Sequence, residues 1–406
     1  MLENMESAAA IRADAEGHQG ILNLLDFCRG MAILWIIAVH AAHGGFGWQG
    51  VHVFVVLSGF TLVYARLTGN VKRSWREWYV RRAARILPTY WLVVIAGFLL
   101  VLLMDALAPV ANNILSTSDH VWRLTADLTF LRNLSYRTML ADPNSALWFI
   151  GLAVSFYLAF PFLYSFVSNN QRAWALIGFL LCAVAAELAY RALAIFLLDG
   201  IPVGYGHGFL KFFGRVPRAT EAVAPGFPFQ LWAPFGIFFS RVGEYALGMV
   251  AAAALACSSG NFSRMLINRW SALAGLAVWL AGNALIYAGR SAWVFGDLVI
   301  AAGLIVWLLN LAEAARRGIS PLFRVMSWLG VWSYYLFLTH LLVGYASARL
   351  YTLWSGSAFT VLLAYALVIA LVVISCRLLR RLDQAEYPTM FFVDRSSPGG
   401  PSAKAL

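Results

Sequence analysis

Charge is scarce in this 406-residue chain: Asp, Glu, Lys and Arg make up 12% of it, about half the share of a soluble globular domain. With 61% hydrophobic residues and a mean hydropathy of +0.72, that scarcity excludes a soluble fold and leaves a polytopic membrane protein. Cysteine is scarcer still. Cys28, Cys182, Cys257 and Cys376 lie scattered in or beside apolar stretches, and with no CxxC spacing they exclude a disulfide framework. Acidic residues are outnumbered 19 to 30 by Lys and Arg, giving a net charge of +11. The basic residues sit in short loops between apolar runs rather than along one soluble face, so nucleic acid is not the expected partner; membrane lipids are. The first 25 residues carry Glu3, Glu6, Asp14 and Glu16 and lack a short apolar core with a cleavage site, which excludes a signal peptide and leaves the first span to direct insertion. There is no internal repeat and no second soluble domain.

What is present is a series of apolar stretches near 30–45, 51–67, 86–107, 146–167, 174–197, 229–256, 271–289, 294–313, 327–349 and 358–378. Each is long enough to cross a bilayer as a helix, which predicts an all-α integral membrane protein of about ten transmembrane helices. An even count puts both termini on one side. Calling that side cytoplasmic collects Arg66, Lys72, Arg73, Arg76, Arg81, Arg82 and Arg85 there with most later arginines, as the positive-inside rule requires. The expected partition is a cytoplasmic segment 1–25, a membrane domain 26–382, and a polar, turn-rich cytoplasmic tail 383–406 that is disordered. Two longer connections, 108–145 and 198–228, face outward as natural substrate lids.

Intramembrane polar residues default to function because they are costly there, although pairing between neighbouring helices also accommodates them. Arg29 and His40 are eleven residues apart, which on a helix returns to nearly the same azimuth about 16 Å along the axis. His43 shares that face one turn on, and a glycine-rich turn leads to His52, Ser58 and Gly59. Three histidines in the outer half raise the question of a metal, but no Cys or carboxylate sits at ligand-like spacing among them, so no metal site is expected. Arg81, Arg82 and Arg85 stand where the third span enters the membrane. Guanidinium groups there suit a phosphorylated ligand, and equally suit lipid head groups as a topology anchor. Arg241 and Glu244, at i, i+3, are placed to pair with each other. His340 lies in the ninth span at a depth approaching that of His40.

Taken together these motifs resemble the membrane-bound acyltransferase-3 family. The resemblance rests on Asp26-Phe27-Cys28-Arg29-Gly30 with His40 at the Arg-x10-His spacing, on Gly50-Val51-His52 through Ser58-Gly59-Phe60, and on Arg82-Ala83-Ala84-Arg85. Trp148 with Phe156-Tyr157 and Pro161, Arg241 with Glu244 and Gly248, and Ser333-Tyr334 leading to His340 complete it. Three positions depart from the family pattern: His52 stands where Asp is frequent, and Phe149 and Ala153 replace a frequent Ser and Glu. The resemblance implies an O-acyltransferase of a bacterial cytoplasmic (inner) membrane, with acyl-CoA as co-substrate, no resident cofactor, and a glycan or other hydroxylated acceptor outside. It implies His40 as general base and donor binding at Arg29, Arg82 and Arg85. Supporting roles fall to Asp26, His43, His52, Ser58, Trp148, Tyr157, Arg241, Glu244, Ser333 and His340. A two-step route through an acylated residue stays open, and a transporter or flippase would use the same intramembrane His, Arg and Glu.

Overall fold

The computed structural model of the chain describes residues 2–42, 46–69, 74–107, 117–134, 144–169, 171–200, 205, 233–257, 261–353, 373–374 and 377–381. All regular structure among them is helical. The principal helices are α1 (Leu2–Ala42), α2 (Gly50–Thr68), α3 (Trp75–Leu107), α4 (Thr117–Leu128), α5 (Trp148–Asn169), α6 (Ala173–Ala192), α7 (Val242–Cys257), α8 (Arg269–Leu285), α9 (Arg290–Gly318) and α10 (Ser320–Leu353).

Eight stretches among the described residues are long and apolar enough to cross a bilayer: Gly20–His40, Gly47–Thr68, Trp75–Leu103, Ser145–Asn169, Ala173–Leu197, Phe238–Cys257, Arg290–Gly318 and Ser320–Ala348. They coincide with eight of the ten expected spans. The seventh expected span is α8, of 17 residues, and the tenth lies outside the described residues except for 373–374 and 377–378. The chain is therefore an all-α polytopic membrane protein. One boundary differs from expectation: α1 runs unbroken from Leu2, and its apolar part begins at Gly20 rather than near residue 30. Helical hydrogen bonding simply continues through the polar N-terminal turns, so no structural break separates 1–25 from the first span. The tail 383–406 lies outside the described residues.

Lipid tails are as apolar as leucine, so burial alone does not hold such helices together; close backbone approach does. Three pairs use it. In α1 against α10, a Cβ added to Gly30 would overlap the Met326 carbonyl, and one on Gly330 would overlap that of Asp26. In α2 against α7, Gly59 abuts the Tyr245 carbonyl and Gly248 that of Val56. In α8 against α9, Gly275 and Gly303 pack against each other's backbones, beside the stacked Trp279 and Trp307 rings 5.1 Å apart. The outward faces are apolar at helical spacing, as at Leu92, Ile95, Leu99 and Leu103 on α3 and Leu158, Phe162 and Phe166 on α5, and these face lipid. Gly47 and Gly50 lie against the Trp35 and Ala32 carbonyls, folding α2 back beside α1. That hairpin sets the end of α1, with His40, next to the start of α2, with His52.

Candidate active site

His40 closes the apolar part of α1, and its Nδ1 lies 2.7 Å from the carbonyl oxygen of Ile36, one turn back. A carbonyl only accepts, so Nδ1 carries the hydrogen and Nε2 carries the lone pair of the neutral ring. In the structure the His40 side chain is exposed. Counting turns from Arg29 identified which residues share a face, but not which face a neighbouring helix covers. His43, expected to share that face, lies outside the described residues. The buried histidine is His340 on α10, 8% exposed, with its ring centre 5.2 Å from that of His40. Its Nδ1 contacts the Phe337 and Leu336 carbonyls at 2.9 and 3.1 Å, and its Nε2 has no hydrogen-bond partner.

A second polar cluster is wholly buried and joins five elements. His52 in the first turn of α2 sets Nδ1 3.0 Å from both Glu244 oxygens and 2.8 Å from Arg241 Nη1. Arg241 and Glu244 also pair at 2.9 Å, as their spacing suggested, but as part of a larger set. Asp297 of α9 stands 3.8 Å from His52 Nε2 and accepts from Arg191 Nη1 of α6 at 2.6 Å. Glu187, one turn before Arg191, accepts from the Gly243 and Glu244 amides at 2.8 and 3.2 Å, and so caps N–H groups at the start of α7 that have no partner within the helix. His52, Glu244 and Asp297 offer ligand-type atoms within 4.8 Å of one another, a constellation the spacing of the histidines alone did not reveal. The Arg241 guanidinium lies against His52 and Glu244, so a cationic side chain stands beside these ligand-type atoms in one buried ion network.

The arginines of the third span face inward. The Arg82 guanidinium lies 5.5 Å from the centres of both the Trp78 and Tyr157 rings, and Arg85 is partly buried beside Tyr157, Tyr334 and Tyr335. Cation–π contact of this kind holds a guanidinium plane while leaving its edge donors for other partners. Tyr334 donates to the Ile86 carbonyl at 3.1 Å, tying α10 to α3 beside Arg85. From there His340 is six residues on, about 9 Å along α10. Arg29 pairs with Asp26 at 2.6 Å.

The remaining expected residues do quieter work. Ser58 donates to its own helix at Phe54, Ser333 is buried, and the Trp148 ring packs on Phe235 with centres 5.2 Å apart. Phe149, one of the departures, fills space between Phe54 and Phe337, with ring centres 5.9 and 5.4 Å away. The sequence reading missed Glu187, Arg191 and Asp297. Their signal was there: each is a charge inside an apolar stretch, with Glu187 and Arg191 one turn apart in the same one, the mark of a functional or paired intramembrane group.

A family model described as an acyltransferase domain matches residues 22–381. The chain belongs to the membrane-bound acyltransferase-3 family. Acyltransferase-3 proteins are enzymes that transfer acyl groups, and two relatives carry matching names. Over 155 residues the chain is 29% identical to YrhL of Bacillus subtilis (strain 168), provisionally named a peptidoglycan O-acetyltransferase; the match covers 36% of this chain and 24% of YrhL. Over 214 residues it is 28% identical to acyltransferase MdmB of Streptomyces mycarofaciens, covering 51% of this chain and 46% of MdmB. The chain thus spans less than half the length of either relative. No solved structure matches. Within this acyltransferase-3 chain, the Arg-x10-His pair, the inward arginines and the His52–Arg241–Glu244 set all fall inside the matched residues.

Proposed function

We propose that the protein is an integral membrane O-acyltransferase that moves an acyl group, acetyl or similar, from cytoplasmic acyl-CoA to a hydroxyl of an extracytoplasmic glycan or related acceptor. The observation that carries this reading is the placement of two chemistries at different depths of one bundle. Arg82 and Arg85, held among Trp78, Tyr157 and Tyr334, stand at the arginine-rich end, where the donor's phosphates would be held by charge-assisted hydrogen bonds. His40, with its lone pair on Nε2, stands at the far end of α1. The pantetheine arm would run between them and present the thioester carbonyl beside His40.

The reaction then balances simply. The acceptor oxygen attacks the thioester carbonyl as its proton passes to His40 Nε2. The carbon–sulfur bond breaks, and CoA leaves as the thiol with that proton. A general base of this kind contributes about 10² to 10⁴ in rate. The acyltransferase names of YrhL and MdmB, and the bacterial sources of both, support an acyl-transfer reading in a bacterial cytoplasmic membrane.

The test is direct. Purified protein in detergent, given acetyl-CoA and a panel of peptidoglycan fragments, glucans and hydroxylated natural products, is expected to release CoA thiol with at least one acceptor and to leave an alkali-labile ester on it. Movement of a glycan across vesicle membranes with no thiol release would instead identify a transporter.

A further inference from the structure

We propose that residues 117–134 are a re-entrant element: α4 dips into the bilayer from the end of the bundle where α3 finishes, and lipid acyl chains pack on Val121, Trp122, Leu131 and Leu134. By sequence this stretch belongs to a connection between spans, expected to face outward as a lid. Its side chains are turned the opposite way from those of a helix in water. Val121, Trp122, Leu131 and Leu134 are between 47% and 62% exposed, while Arg123, Asp127, Arg132 and Asn133 are at most 7% exposed. A helix on an aqueous surface hides its apolar stripe and leaves its charges to solvent. Charges turned inward and apolar groups turned outward are what a hydrocarbon surround selects.

The inward polar groups are met by protein. Arg132 forks onto both carboxylate oxygens of Asp127 and donates from Nη1 to the Asn144 carbonyl at 2.9 Å, and Asn133 donates to the Trp148 and Gly236 carbonyls at 2.9 and 3.0 Å. Two hydroxyls on the outer face are closed within the helix: Thr125 donates to the Val121 carbonyl at 2.9 Å and Thr129 to that of Thr125 at 2.7 Å. Lipid offers no partner, so exposed threonines need such back-bonding there. Depth follows from α3. Tyr90 donates to the Asp127 carbonyl at 2.8 Å and Trp91 Nε1 to that of Leu128 at 3.2 Å, about 24 Å short of the end of α3 at Leu107 by helical rise. The helix breaks at Phe130, φ 63°, whose ring stacks on Tyr90 with centres 5.0 Å apart. Val94 and Gly97 of α3 line one small cavity with Arg123 and Leu124. α4 thus runs beside the part of α3 whose outward face, Leu92, Ile95 and Leu99, meets lipid, and the exposed Trp91 stands where the two surfaces join.

The experiment reads the surroundings of this face in the full chain reconstituted into phosphatidylcholine vesicles. In a background with the four cysteines replaced by Ala and its melting confirmed, Trp122→Cys and Leu134→Cys each carry a nitroxide. The references are Leu99→Cys on the lipid face of α3 and Gly318→Cys, exposed at the end of α9. Nitroxide collisions are compared for oxygen, which concentrates in hydrocarbon, and for a nickel chelate, which stays in water. Both α4 positions are expected to match Leu99→Cys, with an oxygen-to-nickel ratio at least about threefold above that of Gly318→Cys. A ratio like that of Gly318→Cys at either position would make the stretch a lid in water, and low collision with both reagents would mean that protein, such as a second copy, covers it; each result overturns the proposal. Trp122→p-benzoylphenylalanine tests the same face with the native cysteines in place. Irradiation is expected to attach a lipid acyl chain at residue 122, and no adduct there, where Leu99→p-benzoylphenylalanine yields one, would also overturn it.

Discussion

Asp297→Asn tests whether the buried ion network holds this end of the bundle together. The change keeps the side chain's shape and deletes one charge. Arg191, wholly buried, would retain its bonds to the Val294, Pro234 and Trp293 carbonyls at 2.8, 2.8 and 2.5 Å and its contact with Tyr205 at 3.3 Å, but would lose its counter-ion at 2.6 Å. Removing one partner of a buried ion pair costs about 3–5 kcal/mol, because the other charge stays out of water. The four neutral partners that remain argue for the lower part of that range. At roughly 2 °C per kcal/mol for a large chain, the melting temperature should fall by about 5–10 °C. Asp199→Asn provides the contrast. Asp199 pairs with Arg290 at 2.8 Å, yet the two side chains are 69% and 43% exposed. Its backbone φ of 52° is one that asparagine tolerates. An exposed pair contributes about 0–1 kcal/mol, so the shift should stay under about 2 °C. Thermal unfolding by intrinsic tryptophan fluorescence in one detergent measures both. If Asp297→Asn melts no lower than Asp199→Asn, burial is not what gives this network its weight, and the reasoning fails.

Three further outcomes are expected. Replacing Arg82 and Arg85 by Ala should raise the apparent donor KM tenfold or more while acceptor KM changes little, since each charge-assisted phosphate contact is worth about 1.5–3 kcal/mol; an unchanged donor KM in inserted protein would return them to anchoring lipid head groups. Gly248→Ala should lower thermal stability, because its Cβ would meet the Val56 backbone and overpacking costs about 1–3 kcal/mol, whereas Gly178→Ala, with nothing within 4 Å, should be neutral or slightly stabilising. Reporter fusions within 110–140 and 205–225 should both register outside the cytoplasm, and a cytoplasmic signal from either would undo the helix count.

The helices were legible because hydrocarbon thickness imposes a minimum apolar length that survives in the sequence as long uninterrupted runs. The pairing of Arg241 with Glu244 and the shared depth of His40 and His340 were legible too, since helical rise and spacing are local quantities. What was not legible depends on which helices become neighbours. Arg191 reaches Asp297 across 106 residues and His52 reaches Glu244 across 192, so neither contact could be read from spacing within one apolar run. The burial of His40 and His340 was not legible for the same reason: azimuth on one helix does not say where α10 lies. The start of α1 at Leu2 escaped notice because polar helical turns leave no hydropathy signal.

The central claim is that His40 takes the acceptor's proton. It is tested most directly by steady-state kinetics of His40→Ala, with membrane insertion checked and acyl-CoA affinity measured in parallel. The account predicts a fall in kcat of at least roughly two decades with donor affinity retained. A variant that binds acyl-CoA normally and keeps most of its kcat would contradict the mechanism outright.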